Sequence, residues 1–202
     1  MTPADNPLKR DPVMARLMKL FGPIPLRPRR LPPFHSLTQA IIFQQLSGTA
    51  AGTILKRFRA IFGKRGFPSP EAVLKISPAK LRSAGLSRPK VKYILGLARH
   101  ARDGRIPSLK ECGGMTDAEL IERLTAVKGV GHWTVEMMLL FNLGRPDVLP
   151  AHDLGVRKGF QRAYGKRSLP EPEQLARFGV SWAPHRSTAA RYLWRAADMP
   201  VG

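Results

Sequence analysis

The chain has 202 residues, with thirty-four lysines and arginines against fourteen aspartates and glutamates, a formal net charge of +20. With 43% apolar residues it can bury a core, so disorder is not the expectation, and basic charge spread through patterned segments asks for a polyanionic partner. The single cysteine, Cys112, excludes an intramolecular disulfide and a cysteine-ligated cluster, and no apolar run approaches the roughly eighteen residues that span a bilayer.

Met1 to Lys9 is polar and Pro-rich, without the apolar stretch of a secretory signal, so a reduced, cytoplasmic setting is expected. The first predicted helix covers Asp11 to Leu20. Residues 21 to 33 hold Pro23, Pro25, Pro28, Pro32 and Pro33 with Arg27, Arg29 and Arg30. They read as an extended strap, either a plain linker or a segment that touches nucleic acid. A second helix is expected over Ser36 to Leu46. A third, Thr49 to Phe62, puts Ala50, Ile54, Phe58, Ile61 and Phe62 on one stripe and Lys56, Arg57 and Arg59 off it. Ser77 to Ala84 follows the Gly63 to Pro70 breaker. Lys90 to Arg102 then aligns Val91, Ile94, Leu95 and Ala98, with Pro89 just inside its start.

Thr116-Asp117-Ala118-Glu119 has the form of a capping box, with Leu120, Ile121, Leu124 and Val127 at helical spacing behind it. Helices over His132 to Leu143, Asp153 to Tyr164, Glu171 to Phe178 and Ser187 to Ala197 complete an inventory of nine or ten, separated by Gly/Pro breakers and without repeats. Strand signals are scarce, so the expected class is all-α. No composition shift marks a second domain. Two lobes within one unit, 1–202, would be built mainly from residues 36–143 and from the chain ends, 10–35 and 144–197.

Residues 124 to 159 carry the densest chemistry. Val127-Lys128-Gly129-Val130-Gly131 joins two predicted helices, and small residues there can expose amides beside a helix N-terminus. Lys128, Gly129, Val130, Gly131, His132 and Thr134 are therefore candidates for holding a nucleic-acid phosphate, although a helix–helix turn can need glycine for its angle alone. Lys128 and His132 also read as solvated charges. Downstream, Asp153 stands where a helix should begin. It is a candidate N-cap and a candidate functional carboxylate, and the two roles are compatible because only one oxygen need face the helix amides. His35, His100 and His185 show no metal-ligand spacing, so no metal and no cofactor is expected.

The hairpin followed by a Gly/Pro-containing loop and an aspartate resembles the helix-hairpin-helix DNA glycosylase superfamily, in its 3-methyladenine DNA glycosylase II branch. Three further segments resemble that branch in the same order: Ile41 to Ala51 (IIFQQLSGTAA), Gly85 to Ala98 (GLSRPKVKYILGLA) and Trp182 to Trp194 (WAPHRSTAARYLW). The resemblance covers about residues 10–197. It implies a two-lobed helical fold with the active-site cleft between lobes, the helix-hairpin-helix lying at about 117–142. The implied enzyme is monofunctional. It would flip alkylated purines, 3-methyladenine and 7-methylguanine, out of duplex DNA and hydrolyse the glycosidic bond in base excision repair.

By the same resemblance Asp153 is the catalytic residue, and Trp133, Trp194, Met137 and Leu154 line the base pocket, with Trp182 as a buried support. Bifunctional relatives carry a lysine two positions after the second hairpin glycine, where this chain has Trp133. Base release without strand cleavage is implied. Gln45 or Leu46 would wedge the duplex where the base leaves. The expected partner is double-stranded DNA containing alkylated bases, met by a monomer associated with the nucleoid and not with membrane. Departures from the branch are the lack of room before residue 36 for an N-terminal β-rich lobe, and less aromatic residues at Met137 and Leu154. Two other readings are a non-catalytic helix-hairpin-helix module that binds damaged or distorted DNA, and a basic RNA-binding protein.

Overall fold

The computed structural model describes residues 6–63 and 66–199; the start of the Met1 to Lys9 stretch and residues 64–65 of the Gly63 to Pro70 breaker lie outside the described residues. Among the described residues there are thirteen α-helices and no strand. They are α1 (Pro7–Arg10), α2 (Pro12–Phe21), α3 (Pro33–Phe43), α4 (Gly48–Ala60), α5 (Pro70–Leu74), α6 (Pro78–Ser83), α7 (Arg88–Arg102), α8 (Leu109–Gly114), α9 (Asp117–Thr125), α10 (His132–Met137), α11 (Leu154–Ala163), α12 (Pro172–Phe178) and α13 (Arg186–Ala197). A π-helical stretch, Met138–Leu143, continues α10, and a 3₁₀ turn, Gly179–Trp182, continues α12.

Capping chemistry starts most of these helices. Asn6, Asp11, Ser69, Ser77 and Ser87 each accept a backbone amide of the first turn, with proline at the first or second helical position. Both Thr116/Glu119 and Ser108/Glu111 form reciprocal capping boxes. The helices that periodicity does not predict, α1, α5 and α8, have four to six residues, too few to show a stripe, and exist because a cap starts them.

Three boundaries differ from the sequence expectation. Pro33, read as part of the strap, opens α3, where its missing N–H is no loss. The same helix stops at Phe43, three residues short of Leu46, because Gln44 turns to φ −49°, ψ 130° and Gln45 is left-handed at φ +56°. The predicted helix from His132 to Leu143 changes from α to π at Met138. Residues 22–32 of the strap carry no regular structure, as the prolines require.

By contacts the chain divides into a middle unit, Arg29–Met138, and an end unit made of the chain up to Pro28 and from Leu139 onward. In the middle unit α7 packs on α3, α5 and α6, α3 also meets α4 and α10, and α9 meets α10. Leu37, Ile41, Phe58, Leu81, Ile94, Leu97 and Leu120 are fully buried there. In the end unit α13 packs on α11 and α2 around Met14, Leu17, Val156, Trp182 and Leu193. Asp11 caps α2 and also accepts hydrogen bonds from the Tyr164 hydroxyl and the Trp182 indole, tying the first long helix to the C-terminal ones.

Candidate active site

The glycine hairpin lies between α9 and α10. Val130 donates its N–H to Val127 O at 2.9 Å, closing the turn. Gly129 has φ +92°, and a Cβ there would fall 2.1 Å from Cγ of Tyr93, so both its conformation and its packing on α7 demand glycine. Gly131 is different: its φ is −88°, and an added Cβ would meet nothing within 4 Å. Among the described residues nothing would meet a Cβ at Gly131, so internal packing does not account for glycine there. Lys128, Gly131 and His132 are exposed, Gly129 is half-buried, and Val130 and Thr134 are buried. His132 Nε2 lies 3.5 Å from Oε1 of the buried Glu136. Trp133, in the first turn of α10, and Met137, at its end, are both half-buried.

A network that the sequence reading did not foresee ties the hairpin to the Gln44–Ser47 turn. Gln44 donates its side-chain amide to Gly129 O at 3.0 Å and to Thr134 Oγ1 at 2.8 Å. Lys90, on α7, donates its ammonium to Ile42 O and Gln44 O, each at 2.8 Å, satisfying carbonyls at the end of α3. Burial holds the Lys90 ammonium below the usual lysine range. Beyond this anchored residue Gln45 and Leu46 are exposed, Leu46 at 40%. The available signal was a lysine at i−4 from the fully buried Ile94, on the face of α7 that should be apolar.

In the end unit Asp153 is the N-cap of α11. Its Oδ1 accepts the Val156 N–H at 2.9 Å and the Trp194 indole N–H at 2.8 Å. One oxygen thus serves cap and indole together, and the carboxylate is fixed in rotation. Two glycines make this possible. A Cβ on Gly159 would sit 1.8 Å from Leu193 O, so α11 and α13 cross in near backbone contact. A Cβ on Gly155 would lie 2.8 Å from Trp194 Cδ1 and 3.1 Å from Asp153 Oδ1. Their i, i+4 spacing was the legible sign of a close helix crossing. Trp194 is half-buried and stacks on Phe141, ring centroids 5.4 Å apart. Leu154 is 53% exposed at the first position of α11, and Trp182 is fully buried and donates to Asp11 Oδ2 at 2.9 Å.

The loop that leads to Asp153 is clamped from α13. Arg186 makes a bidentate pair with Asp147, at 2.7 and 2.8 Å, and these hydrogen bonds hold the Asp147 carboxyl below the usual range. The buried Ser187 donates its hydroxyl to Arg145 O at 2.6 Å and accepts from Val148 N at 2.9 Å. Among the described residues no three His, Cys, Asp or Glu side chains gather as a metal site requires.

A structure of the Schizosaccharomyces pombe 3-methyladenine DNA glycosylase (Mag1) in complex with abasic DNA superposes with a TM-score of 0.91, at 35% identity, over 98% of this chain and 97% of that one. The Bacillus halodurans DNA-3-methyladenine glycosidase gives a TM-score of 0.80 at 36% identity, over 98% of this chain and 90% of that one. In sequence, DNA-3-methyladenine glycosylase 1 of S. pombe is 37% identical over 188 residues, 91% of this chain and 82% of that protein. The model of the HhH-GPD superfamily of base excision DNA repair proteins matches residues 38–185. With the glycine hairpin and the capped aspartate in a matching all-helical fold, the chain belongs to the HhH-GPD superfamily of base excision DNA repair proteins.

Proposed function

We propose that this chain is a monofunctional DNA glycosylase that releases alkylated purines, 3-methyladenine and 7-methylguanine above all, from duplex DNA, acting as a monomer. The observation that carries the reading is Asp153, whose Oδ1 is pinned by Val156 N–H and Trp194 Nε1 in the chain segment that follows the hairpin. A base must leave the stack before its glycosidic bond can be attacked, at a cost of a few kcal/mol. Binding at the glycine hairpin and across the basic surface offsets that cost. As the bond breaks, positive charge grows on the sugar. A carboxylate whose orientation is already set stabilises that charge without reorganisation and can orient the attacking water.

N3- or N7-alkylation already makes the purine a cationic leaving group, so no paired general acid is needed. A cation over the Trp194 indole gains about 0.5–2 kcal/mol. The chemistry stops at base release because Trp133, two positions after Gly131, offers no amine to attack the sugar. Support for the substrate class also comes from relatives named as 3-methyladenine glycosylases.

Asp153→Asn tests the reading on duplexes with defined alkylated purines, scored with and without alkali. Loss of base release with retained DNA affinity is expected, and wild-type protein should leave alkali-sensitive sites but no nicks. A variant that releases bases at the wild-type rate would sink the proposed role of Asp153. Wild-type protein that binds duplex but releases no lesion would point instead to a non-catalytic damage-binding module.

A further inference from the structure

The Gln45–Leu46 turn is an odd feature of the middle unit. Gln45 holds φ +56° without being glycine, a conformation that L side chains visit at a cost, and it does so on the exposed face of the turn. Its immediate neighbours are anchored. Gln44 reaches Gly129 O and Thr134 Oγ1, and Ile42 O and Gln44 O both receive the Lys90 ammonium. Tyr93, three residues after Lys90 on α7, is the ring against which Gly129 packs. One helical turn of α7 therefore supports both the carbonyl end of α3 and the back of the hairpin, and Gln44 closes the loop between them.

We propose that α7 acts as a bracket that sets the Gln45–Leu46 turn in register with the glycine hairpin, with Lys90 and Gln44 as positioning residues for damage recognition. The inference rests on reading the chain as a DNA glycosylase whose hairpin grips a phosphate and whose turn enters the duplex. When both elements must engage neighbouring points of one distorted strand, a fixed spacing favours the distorted site and gives nothing on regular duplex. Lys90 and Gln44 therefore act on discrimination between damaged and intact DNA, not on general affinity.

The test compares Lys90→Met and Gln44→Leu with wild type in binding to a duplex bearing a tetrahydrofuran abasic analogue and to the same duplex undamaged. Each variant is also made in a Gln45→Ala/Leu46→Ala background. The expected result is a fall in the damaged-to-intact affinity ratio of about tenfold or more for Lys90→Met, whose hydrogen bonds come from a charged group, and of about threefold or more for Gln44→Leu, whose amide is neutral, with intact-duplex affinity little changed and the melting temperature lowered by no more than a few degrees. In the Gln45→Ala/Leu46→Ala background the further fall should be less than about twofold, because Lys90 and Gln44 act through that turn. An unchanged ratio, an equal loss of affinity for both duplexes, or a fall of the same size in both backgrounds would overturn the proposal. Should Lys90→Met fail to fold, Gln44→Leu alone decides it, since among the described residues its side chain hydrogen-bonds to Gly129 O and Thr134 Oγ1 alone. The comparison needs binding alone, so a wild-type protein that released no alkylated base would overturn the enzymatic reading and leave this result readable.

Discussion

An alanine at Gly155 would place its Cβ 2.8 Å from Trp194 Cδ1 and 3.1 Å from both Trp194 Nε1 and Asp153 Oδ1. Carbon contacts settle near about 3.5–4 Å, so the ring must withdraw by roughly 0.7–1.2 Å. The contacted atoms belong to side chains, and the half-buried indole can move. A withdrawal of that size takes the 2.8 Å bond from Trp194 to Asp153 past hydrogen-bonding range. Losing a hydrogen bond to a carboxylate removes about 1.5–3 kcal/mol, which at the reaction barrier slows base release about 10- to 100-fold, nearer the lower end for groups only half withdrawn from water. Stability changes less, since alanine for glycine within a helix returns about 0.5–1 kcal/mol and offsets part of the lost bond. Single-turnover release of 7-methylguanine, with enzyme in excess, should therefore slow while the thermal midpoint shifts by only a few degrees. Trp194→Phe, which keeps a ring and removes the N–H, should slow release to a similar extent. Wild-type rates in both folded variants would refute the claim that the indole orients Asp153.

Gly159→Ala has no such escape, because its Cβ would meet Leu193 O at 1.8 Å and backbone must move; a loss of about 3 kcal/mol is expected in denaturant titration. Gly129→Ala combines φ +92° with a 2.1 Å clash on the Tyr93 ring, and should weaken DNA binding as well as lower the melting temperature by several degrees. Burial pushes the Asp11 carboxyl up, but hydrogen bonds from Trp182, Tyr164, Met14 and Val13 together hold it below the ordinary range. A depressed folded value means stability that is present above the unfolded pKa of about 3.9 and lost as pH falls through the folded value. Asp11→Asn should accordingly cost about 1–3 kcal/mol in urea unfolding near neutrality, with the gap to wild type closing in acid; a gap independent of pH would count against the hydrogen-bonded carboxylate. Affinity for duplex DNA should drop by roughly 10³- to 10⁵-fold between about 50 and 200 mM salt if six to ten phosphates are neutralised, and a flat response would remove the basic surface as the DNA track.

What the sequence made legible were features with local causes. The long amphipathic helices, the Thr116/Glu119 box and the proline strap follow from spacing and from single-residue conformational limits, and they stand in the structure. What escaped has non-local causes. The stop of α3 at Phe43 depends on Lys90, forty-seven positions after it in the chain, donating to Ile42 O and Gln44 O. Gln44 lies in the IIFQQLSGTAA segment, yet its partners lie eighty-five and ninety residues away. Phe141 gave no sign that it would stack on Trp194, because its place depends on the change from α to π at Met138. No window of sequence contains both halves of any of these contacts.

The helix-cap reading of Asp153 stands in the structure, and in the proposed function the same oxygen also orients the functional carboxylate. A cap bond alone leaves a carboxylate free to pivot about the capped oxygen. A second donor on the same oxygen, from a ring held by Phe141 and by the Gly159 crossing, removes that freedom. Capping is thus part of what aims the side chain. The consequence can be checked in the pattern of losses: Gly155→Ala, Trp194→Phe and Asp153→Asn act on one object, so combining the first two with Asp153→Asn should add little to its loss of base release. Additive losses would mean that the indole and the carboxylate contribute separately, the ring through the base and the acid through the sugar, and the orienting role assigned to the indole would fall.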